Sequence, residues 1–289
     1  KNRQKNLQKA IWQTQQTFIK RSMYLEKRLS LMFKKEPKLT VVGAGPGDAE
    51  LITIKAIKAL EAADVVLYDA LVNEELLDYV NPTAELIFVG KRSGCYHYQQ
   101  DQINELIVAR GHSHGHVVRL KGGDPFIFGR GSEEMEYAAG FGLKTAVVPG
   151  ISSSMAVPAS QNIPVTKRGS SESFWVITGT TKKHEISNDI ALAAKSSATV
   201  VVLMGMGKLP EIIALFQNEG KQDLPVAIIQ DGTTSREKVG VGTVDTILEV
   251  VEKQSLSNPA IIVFGEVVRH REILNNIAVQ HNEKQLICS

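Results

Sequence analysis

Short apolar runs alternate along the sequence with longer stretches in which apolar residues recur at helical spacing. The alternation begins at Leu39 and is typical of βαβ units, in which helices connect parallel strands. In the first half of the chain it predicts strands at 39–42, 64–68, 85–89, 116–120 and 145–148. It predicts helices between them at 51–62, 74–79, 101–109 and 133–139.

A polar segment at 163–173 divides the chain, because it combines Pro164, Gly169 and a serine cluster between two apolar strands. The pattern then restarts, with strands at 174–178, 199–203, 225–230, 260–264 and a hairpin-like 238–243, and helices at 189–195, 209–219 and 244–252. We therefore predict the α/β fold class, with largely parallel sheets and a cleft between two α/β domains, because ligand sites collect at the carboxyl ends of such strands. The expected division is an extension at 1–37, domains at 38–167 and 168–270, and a tail at 271–289.

The extension differs from the rest of the chain in charge. Residues 1–38 hold eleven Lys and Arg against two Glu, a balance of +9, whereas the remaining 22 basic and 29 acidic residues give −7 and restore the total of +2. A basic amphipathic helix and a transit peptide are alternatives for this segment. We favour a peripheral, dispensable extension, because it has no apolar region of the kind that secretion signals carry. Met32, just before the first strand, is a candidate start.

Composition excludes several classes of protein. The chain of 289 residues is 43% hydrophobic and 22% charged, which is typical of a globular protein. Its 6% aromatic content and 23 Gly favour backbone-rich binding loops over the aromatic platforms that bind single-stranded nucleic acid. The apolar runs fall far short of the ~18 residues that span a bilayer, so no membrane segment is expected. Cys95 and Cys288 form neither a disulfide framework nor a C-x-x-C pair, so we expect a cytoplasmic protein.

The first candidate loop, at 43–48, lies between a strand and a helix and ends in Asp48. The position is that of a dinucleotide fingerprint, but Asp48 replaces the third glycine and Pro46 removes an N–H donor. No Gly-Lys-Ser/Thr follows a glycine-rich strand end either, so a Walker loop is not expected. The loop sequence therefore indicates that a ligand without a phosphate approaches the loop backbone closely.

Two further loops carry candidate chemistry. At 120–131 a strand ends in two glycines, an acid and a proline, with Phe126 and Phe128 as apolar walls. A simple turn at Gly-Asp-Pro is the alternative. At 148–154 three serine hydroxyls stand at a helix start, where capping alone explains one of them.

These loops belong to a series of motifs that closely resembles the uroporphyrinogen III C-methyltransferase family over residues 38–270. The motifs lie at 43–48, 66–69, 89–92, 117–131, 147–152 and 163–166. The resemblance implies two domains of the tetrapyrrole methylase type, a homodimer, and S-adenosylmethionine as the cofactor with S-adenosylhomocysteine as its product. It also implies two methyl transfers, at C2 and C7, that convert uroporphyrinogen III into precorrin-2 on the route to sirohaem and cobalamin.

The resemblance assigns roles to residues that match the family's motifs. It implies that the cofactor contacts are Pro46, Gly122, Gly123, Asp124, Ile127, Ser152, Ser153, Met204 and Gly232. It implies Asp69 as proton acceptor and Lys91 as proton donor, although Lys91, Arg92 and Arg130 are also suited to the substrate's carboxylates. A sulfonium cofactor needs backbone donors and acceptors, an apolar slot and a carboxylate, and these loops offer them.

Two departures and two rivals accompany this interpretation. Ala70 replaces an Arg that many family members carry beside the Asp69 position, and Ser152-Ser153 replaces Thr-Ala. The alternation His112-x-His114-x-His116 resembles a metal site, but it lies among glycines and no metal is expected. The rival functions are methylation of a later corrin precursor by the same fold, and a binding protein that has lost turnover.

Overall fold

The computed structural model describes residues 35–90 and 98–277. Its strands are β1 (Lys38–Gly43), β2 (Val65–Tyr68), β3 (Glu85–Phe88), β4 (His116–Lys121), β5 (Lys144–Val148), β6 (Phe174–Thr178), β7 (Thr199–Leu203), β8 (Pro225–Gln230), β9 (Lys238–Thr243) and β10 (Ala260–Phe264). Its α-helices are α1 (Ile54–Glu61), α2 (Gln100–His114), α3 (Gly131–Gly140), α4 (Ser153–Ser160), α5 (Asn188–Lys195), α6 (Leu209–Asn218), α7 (Ile247–Gln254) and a last one over 270–277. Short 3-10 helices cover Ala49–Leu51, Glu74–Tyr79, Met206–Lys208 and Glu266–Arg269.

The first lobe is a parallel sheet of order β3-β2-β4-β1-β5. Its central strands are buried on both faces because helices cover both sides. One face packs Val42 and Leu120 against Leu60 of α1, and the other packs Leu39 against Ile107 of α2. The carboxyl ends of β1 and β4 lie side by side, and the chain leaves them in opposite directions along the sheet. This is the switch point at which α/β sheets bind ligands.

The second lobe differs from the expected largely parallel sheet. Its order is β6-β7-β10-β8-β9, and among the described strands of this sheet only the pair β6 and β7 is parallel. Strand β10 pairs antiparallel with both β7 and β8, and β8 and β9 form an antiparallel hairpin. The prediction was wrong for this sheet because a strand buried on both faces reads as a continuous apolar run in either direction.

Helix α4 connects the two lobes. It follows β5 of the first sheet, yet its Val157 is buried against Val201, Ala227 and Ile261 of the second. Ile163 joins the same cluster. Val157 and Ile163 thus belong to the core of the second lobe although they precede residue 168. The expected domain boundary at 167/168 stays a prediction.

The predicted helix at 51–62 is split in two. The carboxylate of Asp48 accepts a hydrogen bond from the Glu50 amide at 2.9 Å and starts a 3-10 turn, and the Thr53 hydroxyl accepts one from the Ala56 amide at 3.1 Å and starts α1. Each cap satisfies amides at its own helix start, so the helices form separately.

Most of the extension, both cysteines and most of the tail lie outside the described residues. The described part of the tail is helical over 270–277, where Arg271 donates to the Gln161 side chain at 3.0 and 3.2 Å. Within residues 35–90 and 98–277, no helix combines the length and apolarity needed to cross a membrane.

Candidate active site

Three loops of the first lobe meet at the carboxyl edge of its sheet. They are the first loop (44–48, after β1), the second loop (122–130, after β4) and the third loop (149–152, after β5). Gly45 and Gly123 exchange backbone hydrogen bonds of 3.2 and 2.6 Å. A Cβ atom on Gly43 or on Gly150 would overlap the backbone of the other loops. Glycine is required at these two positions, because backbone packs directly on backbone there.

Asp124 fastens the second loop to the third. One carboxylate oxygen accepts from the Phe126 amide at 2.8 Å and the other accepts from the Gly150 amide at 3.1 Å. The side chain is half-buried. Both carboxylate oxygens thus already hold loop backbone, and Asp124 as a cofactor contact stays a prediction.

The first loop differs from a phosphate-binding loop in its helix start as well as its sequence. In dinucleotide folds the helix amides that follow the loop point at the pyrophosphate. Here the Asp48 carboxylate occupies the first helix start, and α1 begins only at Ile54 behind its own Thr53 cap. A second anion at this point would face the Asp48 charge, so the loop suits a ligand without a phosphate.

The other cofactor candidates lie around these loops. Ile127 is 39% exposed between the exposed Phe126 and Phe128. Ser152 is buried and caps α4, since its hydroxyl accepts from the Ser154 amide at 3.3 Å, and Ser153 is the first residue of that helix. The Ser152 hydroxyl therefore has the capping role that the sequence allowed for one of the three serines.

The second lobe contributes loops that follow β7 and β8. Met204 is 51% exposed and has a positive φ of 56°. Gly232 is buried against the Val157 side chain. Its neighbour Thr233 accepts a hydrogen bond from the Asp48 amide at 3.2 Å, so this loop reaches the first loop across the cleft. The loop that carries Gly232 thus contacts the first loop, whereas Met204 as a cofactor contact stays a prediction.

Asp69 directly follows β2, at the same edge of the sheet. One oxygen accepts from the Leu71 amide at 3.2 Å, and the other lies 3.5 Å from a guanidinium nitrogen of Arg119. Asp69 remains 25% exposed, whereas Arg119 is only 4% exposed. The motifs predicted no role for Arg119, yet its buried guanidinium faces Asp69, the residue that precedes Ala70.

Arg119 belongs to a buried cluster of charges under the site. Glu134 of α3 is fully buried, and its Oε1 atom accepts from the Arg119 side chain at 3.2 Å and from the Lys121 ammonium at 3.0 Å. Gln100 of α2 donates to the same atom at 3.1 Å. Burial, followed by the charge of Arg119, lowers the pKa of Lys121. With Asp69 the cluster contains two cations and two anions, so its charges balance.

The predicted substrate contacts fall in different environments. Arg130 is half-exposed and forms a paired contact with the Glu133 carboxylate, including hydrogen bonds of 3.0 Å from its Nε atom. Lys91 and Arg92 lie outside the described residues, so their roles stay predictions. Since an exposed ion pair is weak, Arg130 can exchange Glu133 for a carboxylate ligand at little cost.

The three histidines of the alternating motif have separate partners. His112 contacts the Phe141 carbonyl at 3.0 Å, His114 contacts the Ser113 hydroxyl at 2.7 Å, and His116 contacts the Thr40 hydroxyl at 2.8 Å. Burial lowers the pKa of His116. Within the described ranges, His, Cys, Asp and Glu side chains form no group of three or more that is suited to a metal ion.

Comparison with known proteins gives consistent matches. The family model described as Tetrapyrrole (Corrin/Porphyrin) Methylases matches residues 38–248. A uroporphyrinogen-III C-methyltransferase of Methanocaldococcus jannaschii is 45% identical over 233 residues, which are 80% of this chain and 96% of that protein. A siroheme synthase of Yersinia pestis is 39% identical over 268 residues, which are 92% of this chain but 56% of that protein.

A solved structure is similar across the same region. The uroporphyrin-III C-methyl transferase of Thermus thermophilus, complexed with S-adenyl homocysteine, has a TM-score of 0.70 and 35% identity to this chain. The match covers 80% of this chain and 99% of that one. Both lobes of the present fold therefore have counterparts in a solved enzyme.

Proposed function

Since this chain belongs to the tetrapyrrole methylase family, we propose that it transfers methyl groups from S-adenosylmethionine to uroporphyrinogen III and forms precorrin-2. The observation that carries the proposal is the meeting of three backbone-rich loops beside Asp69 at the switch point of the first sheet. This arrangement supports a ligand cradle and a candidate base at one edge of one sheet. The two transfers, at C2 and C7, lead towards sirohaem and cobalamin.

The loops fit the cofactor in their chemistry. Backbone amides and carbonyls of the first, second and third loops approach closely, and the first helix start already carries the Asp48 carboxylate. A cofactor without a phosphate is compatible with that charge. We assign its binding to Pro46, Gly122, Gly123, Asp124, Ile127, Ser152, Ser153, Met204 and Gly232. When bound, its sulfonium supplies an electrophilic methyl group.

The base follows from the charge that methylation creates. A pyrrole carbon that gains a methyl cation leaves the ring positive, and a proton must finally leave the substrate. Asp69 is partly exposed at the sheet edge and is held by the Leu71 amide and by Arg119. We assign Asp69 as the acceptor of that proton, while Lys91 as its donor partner rests on the family resemblance alone.

The substrate carries eight carboxylates, which require cations at the mouth of the cleft. Arg130 suits this role because its partner Glu133 is itself exposed, and Arg binds carboxylates through two parallel hydrogen bonds. Arg92 is assigned to the same role from the sequence. We further propose that the protein is a homodimer, which the family resemblance supports. We also propose a reducing cytoplasm, because the two cysteines of the sequence form neither a disulfide framework nor a C-x-x-C pair.

Thermal unfolding with added ligands tests the proposed cofactor. S-adenosylhomocysteine at a hundredfold excess over its Kd should stabilise the protein by about 2.7 kcal/mol, because it binds only the folded chain. NAD at the same concentration should leave the melting temperature unchanged. Stabilisation by NAD without stabilisation by S-adenosylhomocysteine would contradict the proposal.

Removing the Asp124 side chain should lower both the cofactor affinity and the free energy of unfolding. Asp124→Ala leaves the Phe126 and Gly150 amides without their acceptors, at a cost of about 1–3 kcal/mol. The second and third loops should then separate, and cofactor affinity should fall. Calorimetry with S-adenosylhomocysteine measures the affinity, and chemical unfolding measures the stability.

Asp124→Asn serves as the control, because its amide oxygen keeps one of the two hydrogen bonds. Its affinity should lie between those of the alanine variant and the unsubstituted chain. Full affinity in a folded Asp124→Ala protein would remove Asp124 from the site.

A further inference from the structure

We infer that Thr233 and Glu237 act together as positioning residues, which hold the first loop across the cleft in the arrangement that binds the cofactor. The inference rests on the proposed function, because it concerns how that cofactor's site is assembled from two lobes. Neither residue is among the cofactor contacts assigned above. Their role follows from a chain of hydrogen bonds that joins the lobes.

The first loop is held from two sides. Within its own lobe, the Asn73 side chain donates to the Gly47 carbonyl at 2.9 Å. From the opposite lobe, the Thr233 hydroxyl accepts from the Asp48 amide at 3.2 Å. The second lobe packs so closely that a Cβ on Gly47 would lie 3.1 Å from the Thr233 hydroxyl oxygen. The position of Pro46 and Gly47 thus depends on both lobes.

Thr233 occupies a backbone conformation that it would not adopt unaided. Its φ is +65°, and a β-branched residue is strongly disfavoured in this left-handed region. Such strain persists only where the surroundings enforce it, and it is concentrated at functional sites. The enforcing group here is Glu237, whose Oε2 atom accepts from the Thr233 amide at 2.7 Å.

Glu237 is itself fixed by helix α4. The Ser160 hydroxyl donates to Oε2 at 3.0 Å, and the Gln161 side chain donates to Oε1. Gln161 in turn accepts from Arg271 of the last described helix. The carboxylate therefore has a donor on each oxygen, and its orientation is determined by α4, the helix that begins at the third loop.

The network connects elements that carry the assigned cofactor contacts. Pro46 lies two residues before Asp48, and Gly232 lies immediately before Thr233. Ser152 and Ser153 stand at the start of α4, whose other end holds Glu237. Loss of the Thr233 contact would leave each lobe with part of the site, so cofactor affinity should fall while the catalytic groups stay in place.

The test compares variants of Thr233 by calorimetry with S-adenosylhomocysteine. Thr233→Val keeps the shape but removes the acceptor, and should weaken affinity about five- to tenfold, as expected for one lost hydrogen bond. Thr233→Ser keeps the hydroxyl and should retain affinity within about twofold. Thr234→Val is the matched control, because it keeps the methyl group that faces Gly47, while the hydroxyl that it removes bonds, among the described residues, to the Asp231 carbonyl and the Arg236 amide of its own loop.

Glu237 gives an independent comparison. Glu237→Ala frees the Thr233 amide and should weaken affinity as Thr233→Val does, whereas Glu237→Gln offers an amide oxygen to that N–H and should recover most of the affinity. In steady-state assays the cofactor KM should rise in the weakened variants, while kcat at saturating cofactor stays near that of the unsubstituted chain.

A third pair of variants removes the donor rather than the acceptor. Asp48 has a φ of −68°, which proline adopts, so Asp48→Pro deletes the amide hydrogen and sets the proline ring against the Thr233 hydroxyl, which breaks the contact between the lobes. Asp48→Ala loses the same side-chain cap but keeps the amide. Asp48→Pro should therefore bind the cofactor about five- to tenfold more weakly than Asp48→Ala. This comparison tests the contact between Asp48 and Thr233 even if a Thr233 variant fails to fold.

Two results would overturn the inference. If Asp48→Pro and Thr233→Val bind S-adenosylhomocysteine as tightly as their controls, the contact between the lobes does not position the loop. If the unsubstituted chain fails to bind it at all, the proposed function fails and this inference fails with it. The two failures are distinguished by the unsubstituted chain alone.

Discussion

Replacing Asp69 with asparagine is expected to slow methyl transfer by about 10²–10⁴-fold, because the amide cannot take the proton that leaves the substrate. Asparagine keeps the size of the side chain and the oxygen that accepts from the Leu71 amide. Arg119 keeps its contact with Glu134, so the buried cations should stay in place. Cofactor affinity should therefore remain near that of the unsubstituted chain while turnover falls.

Single-turnover transfer from radiolabelled cofactor at saturating substrate measures this effect directly. Asp64→Asn is the matched control, because Asp64 stands at the opposite end of the same strand and bonds to the His116 amide at 2.8 Å. It should lower stability but leave the rate unchanged. A well-folded Asp69→Asn protein with full turnover would end the catalytic role and leave Lys91 and Arg130 as the better candidates.

Replacing Glu134 with leucine should cost about 3–5 kcal/mol of folding free energy, because it leaves two buried cations without their shared anion. Arg119 and Lys121 both donate to the one Glu134 oxygen, and all three side chains are at most 6% exposed. Asp69, 3.5 Å from Arg119, would be the remaining nearby anion. We expect Arg119 to shift towards it, which would also lower the rate.

Urea unfolding of Glu134→Leu beside Glu133→Leu measures this loss. Glu133 is the adjacent residue on the same helix, but it is 53% exposed and pairs with Arg130 at the surface. An exposed pair contributes no more than about 1 kcal/mol, so Glu133→Leu should be nearly neutral. Equal stabilities of the two variants would show that the buried cluster does not depend on Glu134.

The sequence predicts strands well and pairing direction poorly. The bounds of β6 (Phe174–Thr178) and β8 (Pro225–Gln230) are those predicted, because turn residues flank each apolar run. The hydrophobic pattern could not predict that β10 is antiparallel to its neighbours, because a buried strand contains no signal for their orientation. The start of α1 was missed because two caps within six residues, Asp48 and Thr53, compete for it.

The candidate loops were predictable for a different reason. Gly43 ends β1 and Gly123 follows β4, and parallel strands bring their carboxyl ends to one edge of the sheet. What the sequence could not show is how Asp124 joins two loops, because one of its carboxylate oxygens accepts from the Gly150 amide, 26 residues away. Side-chain partners across such separations depend on tertiary packing.

The buried charges were missed although a signal was present. Arg119 and Lys121 alternate with apolar residues in β4, so both point to the same face of a sheet that helices cover on both sides. Two cations in such a place require a buried anion. The sequence did not identify Glu134 as this anion, because Glu133 and Glu134 are adjacent in the first turn of a short helix, a pattern that is typical of an exposed acidic turn.

The most direct measurement of the proposed activity is anaerobic incubation of the purified chain with uroporphyrinogen III and S-adenosylmethionine, followed by mass spectrometry of the tetrapyrrole. We expect a product that has gained two methyl groups, with S-adenosylhomocysteine formed in proportion and with both signals much reduced in Asp69→Asn. A tetrapyrrole of unchanged mass, from a protein that binds S-adenosylhomocysteine, would contradict it.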